Sequence, residues 1–278
     1  MNIKKLGKLA LPYLVWMLVL VGIPLLMMLL LSFLRTNGFN LVNAEWTLDH
    51  WGRLFGDSAV IVAFKNSLLY ALVATVVCFL IGYPMAYIVA RSPFSNKLVI
   101  LVLTIIPMWS NSLLRNAALR NILSEQNILN DLLSRIGLSF VWSVNSPAVA
   151  ITICLVLTYL PFMILPIYTV IEKLDESLLE ASMDLGANPL RTFFKVTFPL
   201  SLKGVMTGII MVFLPCFSGF AIQKILGKGN VVVLGSMIEN SYIYNINFVS
   251  MLSIVILLLI FGAMFAVNKF DKEGATLI

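Results

Sequence analysis

The sequence predicts an all-α membrane protein with six transmembrane helices. Its composition, the length of its apolar runs and the lack of charge within them support this fold class. Sixty per cent of the 278 residues are hydrophobic, 12% are charged, and the mean hydropathy is +0.98. Soluble domains are roughly 45–50% apolar and about 25% charged, and a soluble fold of this length cannot bury so much apolar surface. The net charge of +6 indicates basic loops against membrane lipid rather than a nucleic-acid partner.

Six apolar windows without Asp, Glu, Lys or Arg define the predicted spans. A hydrocarbon core of ~30 Å needs about 20 helical residues. Five windows meet this length and the third, with 17 residues, lies at the lower limit. We expect one transmembrane domain over residues 1–278, with spans at 9–34, 66–90, 98–114, 147–171, 204–223 and 248–268.

The first span is predicted to stay in the membrane, although Lys4, Lys5 and Lys8 precede it like the basic region of a signal peptide. The apolar run is too long for a signal peptide, and no small-residue cleavage pattern follows it. With the N-terminus inside, the inner segments carry 11 Lys and Arg in 57 residues and the outer segments 8 in 68. The positive-inside rule therefore favours cytoplasmic termini.

Two outer segments have amphipathic character. Segment 35–65 places Trp46, Trp51 and Phe55 among charged residues, which is typical of rings at headgroup level. Segment 115–140 has apolar residues from Ile128 to Ile136 on one helical face, which predicts a surface helix.

The longest inner segment, 172–203, predicts two helices joined by a sharp turn. Apolar residues recur at helical spacing as far as Leu185, and Gly186 stands where a left-handed residue would end the helix. Asn188 and Pro189 suit the N-cap and first position of a second helix, which Pro199 is expected to end. Apolar residues at such a turn indicate either a docking element or packing beneath the spans, and the pattern alone leaves both open.

The same segment resembles the EAA signature of ABC importer permeases. Glu180-Ala181-Ser182, Gly186 and Val196-x-Phe198-Pro199 stand at the family's spacing, with small or apolar replacements at three positions. The resemblance implies a type I importer bundle and a coupling helix that enters a cleft on a dimer of cytoplasmic ATPase subunits, which bind the ATP. It also implies a second, similar permease subunit and an external solute-binding protein. The coupling residues it implies are Glu180, Ala181, Leu185, Gly186, Ala187, Asn188 and Pro189.

Further stretches are similar to the PotB-type permeases of spermidine/putrescine importers. They are Gly82–Tyr87, Pro107–Arg115 and Leu160–Pro166, and the resemblance runs from about residue 47 to 260. It implies a polyamine substrate and a bacterial inner-membrane location. One departure matters: Lys224 stands where the family pattern has an Asp, which argues against a direct cation contact there.

Most enzymatic and proton-coupled functions are excluded by the residues. The predicted spans hold no Asp or Glu, so they lack both a proton relay and the groups for intramembrane hydrolysis. The lone His50 and three scattered cysteines form no metal pattern, and no G-x-x-x-x-G-K-[ST] sequence is present. We therefore expect no catalytic site, no metal and no cofactor in this chain.

A substrate pathway is predicted near prolines and aromatic residues in the spans. The candidates are Tyr83, Trp109, Asn111, Tyr159 and Phe220, with Trp142 as a further aromatic residue. Aromatic faces attract ammonium groups, but Trp109 and Asn111 also fit interface anchoring and interhelical hydrogen bonds. Two other functions stay open: a permease for another small solute, and a membrane anchor or assembly protein without transport.

Overall fold

The computed structural model describes residues 12–38, 40–93, 96–124, 127–136 and 143–270. Helices dominate the described residues, and one two-stranded sheet accompanies them. The elements are α1 (Pro12–Ser32), β1 (Leu34–Asn37), β2 (Asn40–Trp46), α2 (Asp49–Gly56), α3 (Ser58–Arg91), α4 (Lys97–Trp109), α5 (Ser112–Leu123), α6 (Ile128–Arg135), α7 (Pro147–Glu172), α8 (Glu176–Asp184), α9 (Pro189–Ser218), α10 (Ala221–Leu226), α11 (Leu234–Ser241) and α12 (Ile246–Phe270).

Among the described residues, five helices are long and apolar enough to cross a membrane: α1, α3, α7, α9 and α12 over Ile246–Phe265. The third predicted span, at 98–114, is bent, and α4 with α5 makes a sixth crossing only if this bent pair counts as one span. Helix α4 has 13 residues and α5 leaves it at 94°, so α4 covers only about 20 Å. The break has a local cause, because the Asn111 side chain accepts hydrogen bonds from the N–H groups of Leu113 and Leu114 and starts a new helix.

The chain forms two compact units, and the smaller contains residues 12–63 and 234–261. Its antiparallel hairpin pairs Leu34 with Trp46, which the sequence analysis did not predict. The buried Asn247 ties the hairpin to α12: its amide donates to Leu31 O at 3.0 Å and its oxygen lies 3.1 Å from Thr36 Oγ1. Trp46 is 74% exposed, as expected for a ring at headgroup level.

The larger unit contains residues 64–233 and 262–270 of the described chain, with α7 and α9 as its main helix pair. These helices approach so closely that a Cβ at Gly204 would lie 2.7 Å from Pro166 O and 3.0 Å from Ile167 Cα. Small residues permit such backbone contact between membrane helices. Ile167 and Met163 are fully buried in the same interface, so this pair of helices forms the tightly packed part of the unit.

The prediction that Pro199 ends a helix was wrong, because α9 continues through it from Pro189 to Ser218. A π-helical turn over Phe193–Thr197 precedes this proline, which lies in the first turn of the following α-helical segment. The wider turn changes the hydrogen-bond register, so a residue without an N–H is accommodated. The turn after α8 therefore passes directly into a membrane helix.

The surface helix α6 begins and ends within the segment where the sequence predicted it. Ile128, Leu132 and Ile136 are 68%, 53% and 70% exposed.

Trp142, one of the aromatic pathway candidates, lies outside the described residues.

Candidate coupling surface and membrane cavity

The turn between α8 and α9 has the geometry that the sequence predicted. Gly186 has φ of +83°, its N–H donates to Met183 O at 2.8 Å, and Ala187 N–H donates to Ser182 O at 3.1 Å. These two bonds form a complete Schellman motif. Asn188 Oδ1 then accepts from Arg191 N–H at 2.8 Å, with Pro189 at the first position of α9. Backbone chemistry therefore sets the angle between the two helices.

The turn presents apolar side chains to the outside of the chain. Leu185 is 90% exposed, Leu190 70% and Phe194 64%. Of the predicted coupling residues, Ala187 is half-buried and the others are exposed: Glu180, Ala181, Leu185, Gly186, Asn188 and Pro189. Packing of these side chains under the spans is thus not observed, and the turn offers an apolar surface to a partner.

Several contacts hold this surface against the membrane helices. The Ser182 and Thr192 hydroxyls lie 3.1 Å apart and join α8 to α9. Arg91, at the end of α3, lies 3.4 Å from the Glu176 carboxylate and donates to Leu174 O at 3.3 Å. The pKa of the Asp175 carboxyl is lowered, because it accepts hydrogen bonds from Ser177, first from its backbone N–H. The loop is therefore anchored at both of its helices.

Tyr83, a predicted pathway residue, lies beside the first turns of α9. It is 5% exposed, its hydroxyl is 2.8 Å from Ser201 Oγ, and its ring meets that of Phe193 edge-on at 5.7 Å between centroids. Phe193 also meets Tyr87 edge-on, at 5.3 Å. Tyr83 thus belongs to an aromatic cluster that joins α3 to the first turns of α9.

Tyr159 and Phe220, by contrast, line one cavity of about 320 Å³ in the larger unit. The cavity lies between α5, α7 and the segment from the end of α9 through α10, and Arg115, Asn116, Thr158 and Gln223 line it as well. Asn116 is 2% exposed and Gln223 1%. We refer to this space as the amide cavity.

Trp109 and Asn111 lie at the break between α4 and α5, and neither lines the amide cavity. The Trp109 ring is 82% exposed, and Asn111 caps α5. Arg115 Nη1 spans the break by donating to Pro107 O at 2.5 Å and to Ser110 Oγ at 3.4 Å. The structure therefore divides the predicted pathway residues among three places: the aromatic cluster around Phe193, the helix break and the amide cavity.

Asn116, Thr158 and Gln223 are not among the residues that the sequence pattern indicated. A polar residue in an apolar stretch was the available signal, but it does not reveal which polar residues face one another. Among the described residues, no group of three or more His, Cys, Asp or Glu side chains could hold a metal ion.

Comparison with known proteins identifies the family. The family described as "Binding-protein-dependent transport system inner membrane component" matches residues 3–273. The spermidine/putrescine transport system permease protein PotB of Haemophilus influenzae is 37% identical over 233 residues, which cover 84% of this chain and 81% of that protein. PotB of Escherichia coli strain K12 is 36% identical over 230 residues, covering 82% and 83%.

Solved structures agree on the fold. A chain of a bacterial alginate ABC transporter, in complex with an alginate pentasaccharide-bound periplasmic protein, matches with a TM-score of 0.76 and 15% identity, covering 98% of this chain and 95% of that one. Because the family match spans almost the whole sequence, the chain belongs to the binding-protein-dependent transport system inner membrane components, the non-enzymatic permease subunits of ABC importers.

Proposed function

We propose that the chain is the permease subunit of a polyamine importer in a bacterial inner membrane. The observation that carries this proposal is 36–37% identity to two spermidine/putrescine permeases over more than four fifths of each protein. In this proposal residues 1–278 form one permease domain with both termini in the cytoplasm. The predominance of Lys and Arg in the inner segments supports that orientation.

We propose further that the turn between α8 and α9 couples the permease to a cytoplasmic ATPase dimer. The exposed Leu185, Leu190 and Phe194 support this role, because a partner surface would remove them from water. Glu180, Ala181, Leu185, Gly186, Ala187, Asn188 and Pro189 would form the contact. ATP would be bound by the partner subunit, and this chain would carry no cofactor.

A second, similar permease and an external solute-binding protein would complete the importer. The alginate transporter was crystallised with a periplasmic protein, which supports a binding-protein partner here. The outer segments that contain the hairpin, α5 and α6 would face it.

Reconstitution tests the function directly. The chain is purified with its ATPase, second permease and binding protein, and radiolabelled spermidine uptake into proteoliposomes is measured with ATP inside and outside. We expect uptake only when ATP is on the ATPase side and the binding protein is on the other. Co-purification without uptake of spermidine or putrescine would refute the polyamine assignment, and failure to retain an ATPase would refute the coupling role.

Thiol labelling tests the orientation. The native cysteines Cys78, Cys154 and Cys216 are buried and give little background. Cysteine introduced at the exposed Asn121 should react with a membrane-impermeant thiol reagent added to cells whose outer membrane has been removed and whose inner membrane is intact. Cysteine at the exposed Ser177 should react only after permeabilisation, and the opposite pattern would invert the topology.

Another small solute is the second candidate, and Lys224 is the observation that favours it. A lysine close to a passing polycation repels it, by roughly 1–4 kcal/mol at 4 Å for dielectric constants between 80 and 20. Under the polyamine proposal Lys224→Asp leaves spermidine uptake unchanged or raises it, provided that Lys224 faces away from the route. Loss of uptake of an anionic solute in the same variant would favour the second candidate.

A further inference from the structure

The amide cavity concentrates unsatisfied polar groups. Within the described residues, eight buried side-chain nitrogen or oxygen atoms find no hydrogen-bond partner. Four of their residues line this one cavity: Arg115 through Nε, Asn116 through Oδ1, Thr158 through Oγ1 and Gln223 through Nε2. Buried polar groups are nearly always paired, so such a cluster points to a polar occupant.

The two amides are the strongest part of this observation. Asn116 and Gln223 are 98% or more buried, come from different helices and line the same cavity, and each has one buried polar atom without a hydrogen-bond partner. A buried amide without a partner lowers stability. Neither amide caps a helix or joins two elements by a hydrogen bond in the described part of the chain.

We propose that the amide cavity is a transit site for the amino groups of the transported solute, with Asn116, Thr158 and Gln223 replacing the water around them. This inference rests on the proposed polyamine function. Amide and hydroxyl oxygens accept hydrogen bonds from an ammonium group, and a 180° rotation of the Gln223 amide presents its oxygen where its nitrogen stood. The rings of Tyr159 and Phe220 in the same lining add attractive faces for a cation.

Arg115 lowers the affinity of such a site for a cation, which favours release of the solute. It is the one charged residue in the cavity lining, where no Asp or Glu of the described residues accompanies it. Its guanidinium is held toward Pro107 O and Ser110 Oγ, so it opposes a bound cation from a fixed position. A conducting site must bind weakly enough to let the solute leave, and neutral acceptors beside a fixed positive charge meet that requirement.

Apolar replacements separate transport from folding. Asn116→Leu and Gln223→Met keep the side-chain volume and remove the unpaired groups, so each variant should melt at the same temperature as the wild type or higher. We expect kcat/KM for spermidine uptake in the reconstituted importer to fall about tenfold to a hundredfold, the usual effect of losing a hydrogen bond to a charged group. Asn247→Leu is the matched control: this buried Asn is fully engaged, so its loss should lower the melting temperature.

Gln223→Glu adds a second measurement, the KM for spermidine, which would not change if Gln223 had only a structural role. A carboxylate at this position should hold the amino group more tightly, which lowers KM for spermidine and also lowers kcat because release slows. Normal uptake by Asn116→Leu and Gln223→Met, or an unchanged KM in Gln223→Glu, overturns the transit site while the polyamine function stands. A wild-type importer that does not transport spermidine overturns the polyamine function, and the transit site for amino groups with it.

Discussion

Replacing Gly186 by valine tests the coupling turn at the point where its geometry is most demanding. The residue has φ of +83°, a conformation that L-amino acids rarely adopt. A Cβ at this position meets no atom within 4 Å, so any cost comes from the backbone and not from a collision. Holding valine in that conformation costs about 1–3 kcal/mol.

The alternative for the valine variant is to leave the left-handed region, which breaks the Schellman motif. The bonds from Gly186 N–H to Met183 O and from Ala187 N–H to Ser182 O would then be lost, at about 0.5–1.5 kcal/mol each. Both routes lead to a similar total. About 1.4 kcal/mol is a factor of ten in an equilibrium constant. The ratio of the native turn to competing conformations should therefore fall to between roughly a fifth and a hundredth of its wild-type value.

The assay is ATP-driven uptake by the assembled importer, together with the amount of ATPase that co-purifies. Gly186→Val should lose uptake in proportion to the lost turn, while the permease still inserts, because the turn lies outside the spans. Gly186→Asn is the control, since asparagine tolerates the left-handed region and has open space here; it should transport nearly as well as the wild type. Equal uptake by the valine and asparagine variants would show that the angle of this turn does not govern coupling.

Three further predictions concern stability. Gly204→Leu should lower the melting temperature in detergent, because its Cβ meets the α7 backbone at 2.7–3.0 Å and overpacking costs about 1–3 kcal/mol. Gly262→Leu places its side chain in open space and should leave the melting temperature unchanged. Asn188→Ala removes the cap on Arg191 N–H and should cost about 0.5–2 kcal/mol, measurable by denaturation, whereas Asn188→Ser should retain most of it. Burial, and next the charge of Arg53, lower the pKa of His50 below 6.5, so the unfolded chain binds more protons and stability should fall as the pH drops below about 6.5. A melting temperature that stays level between pH 8 and 5 contradicts this prediction, and so does an equal fall in His50→Phe.

The extent of prediction from sequence differs between the coupling surface and the cavity. Gly186, Asn188 and Pro189 act through bonds within a few residues of themselves, so their types and spacing were enough to predict the turn. The same holds for the long apolar helices, whose length and lack of charge are local properties.

Predictions from local sequence were incomplete or wrong where the apolar pattern and the local hydrogen bonding of one segment favoured different structures. The window 98–114 contains no charge, but Asn111 offers its side chain to a new helix and the chain bends by 94°. Pro199 was expected to stop a helix, yet the π-helical turn before it absorbs the missing donor. In both cases the apolar pattern and the local hydrogen bonding favoured different outcomes.

The sequence by itself determined that this protein is a helical membrane protein with a sharp turn between two helices at 185–189, because hydropathy, charge placement and turn chemistry are properties of neighbouring residues. Only the tertiary structure decided that Tyr83 joins the aromatic cluster around Phe193, and that Asn116, Thr158, Tyr159 and Gln223 line one cavity. These positions are up to 107 residues apart in the chain, and their meeting depends on how α5, α7 and α10 pack. Packing of helices follows from the shape of whole surfaces, which no short stretch of sequence contains.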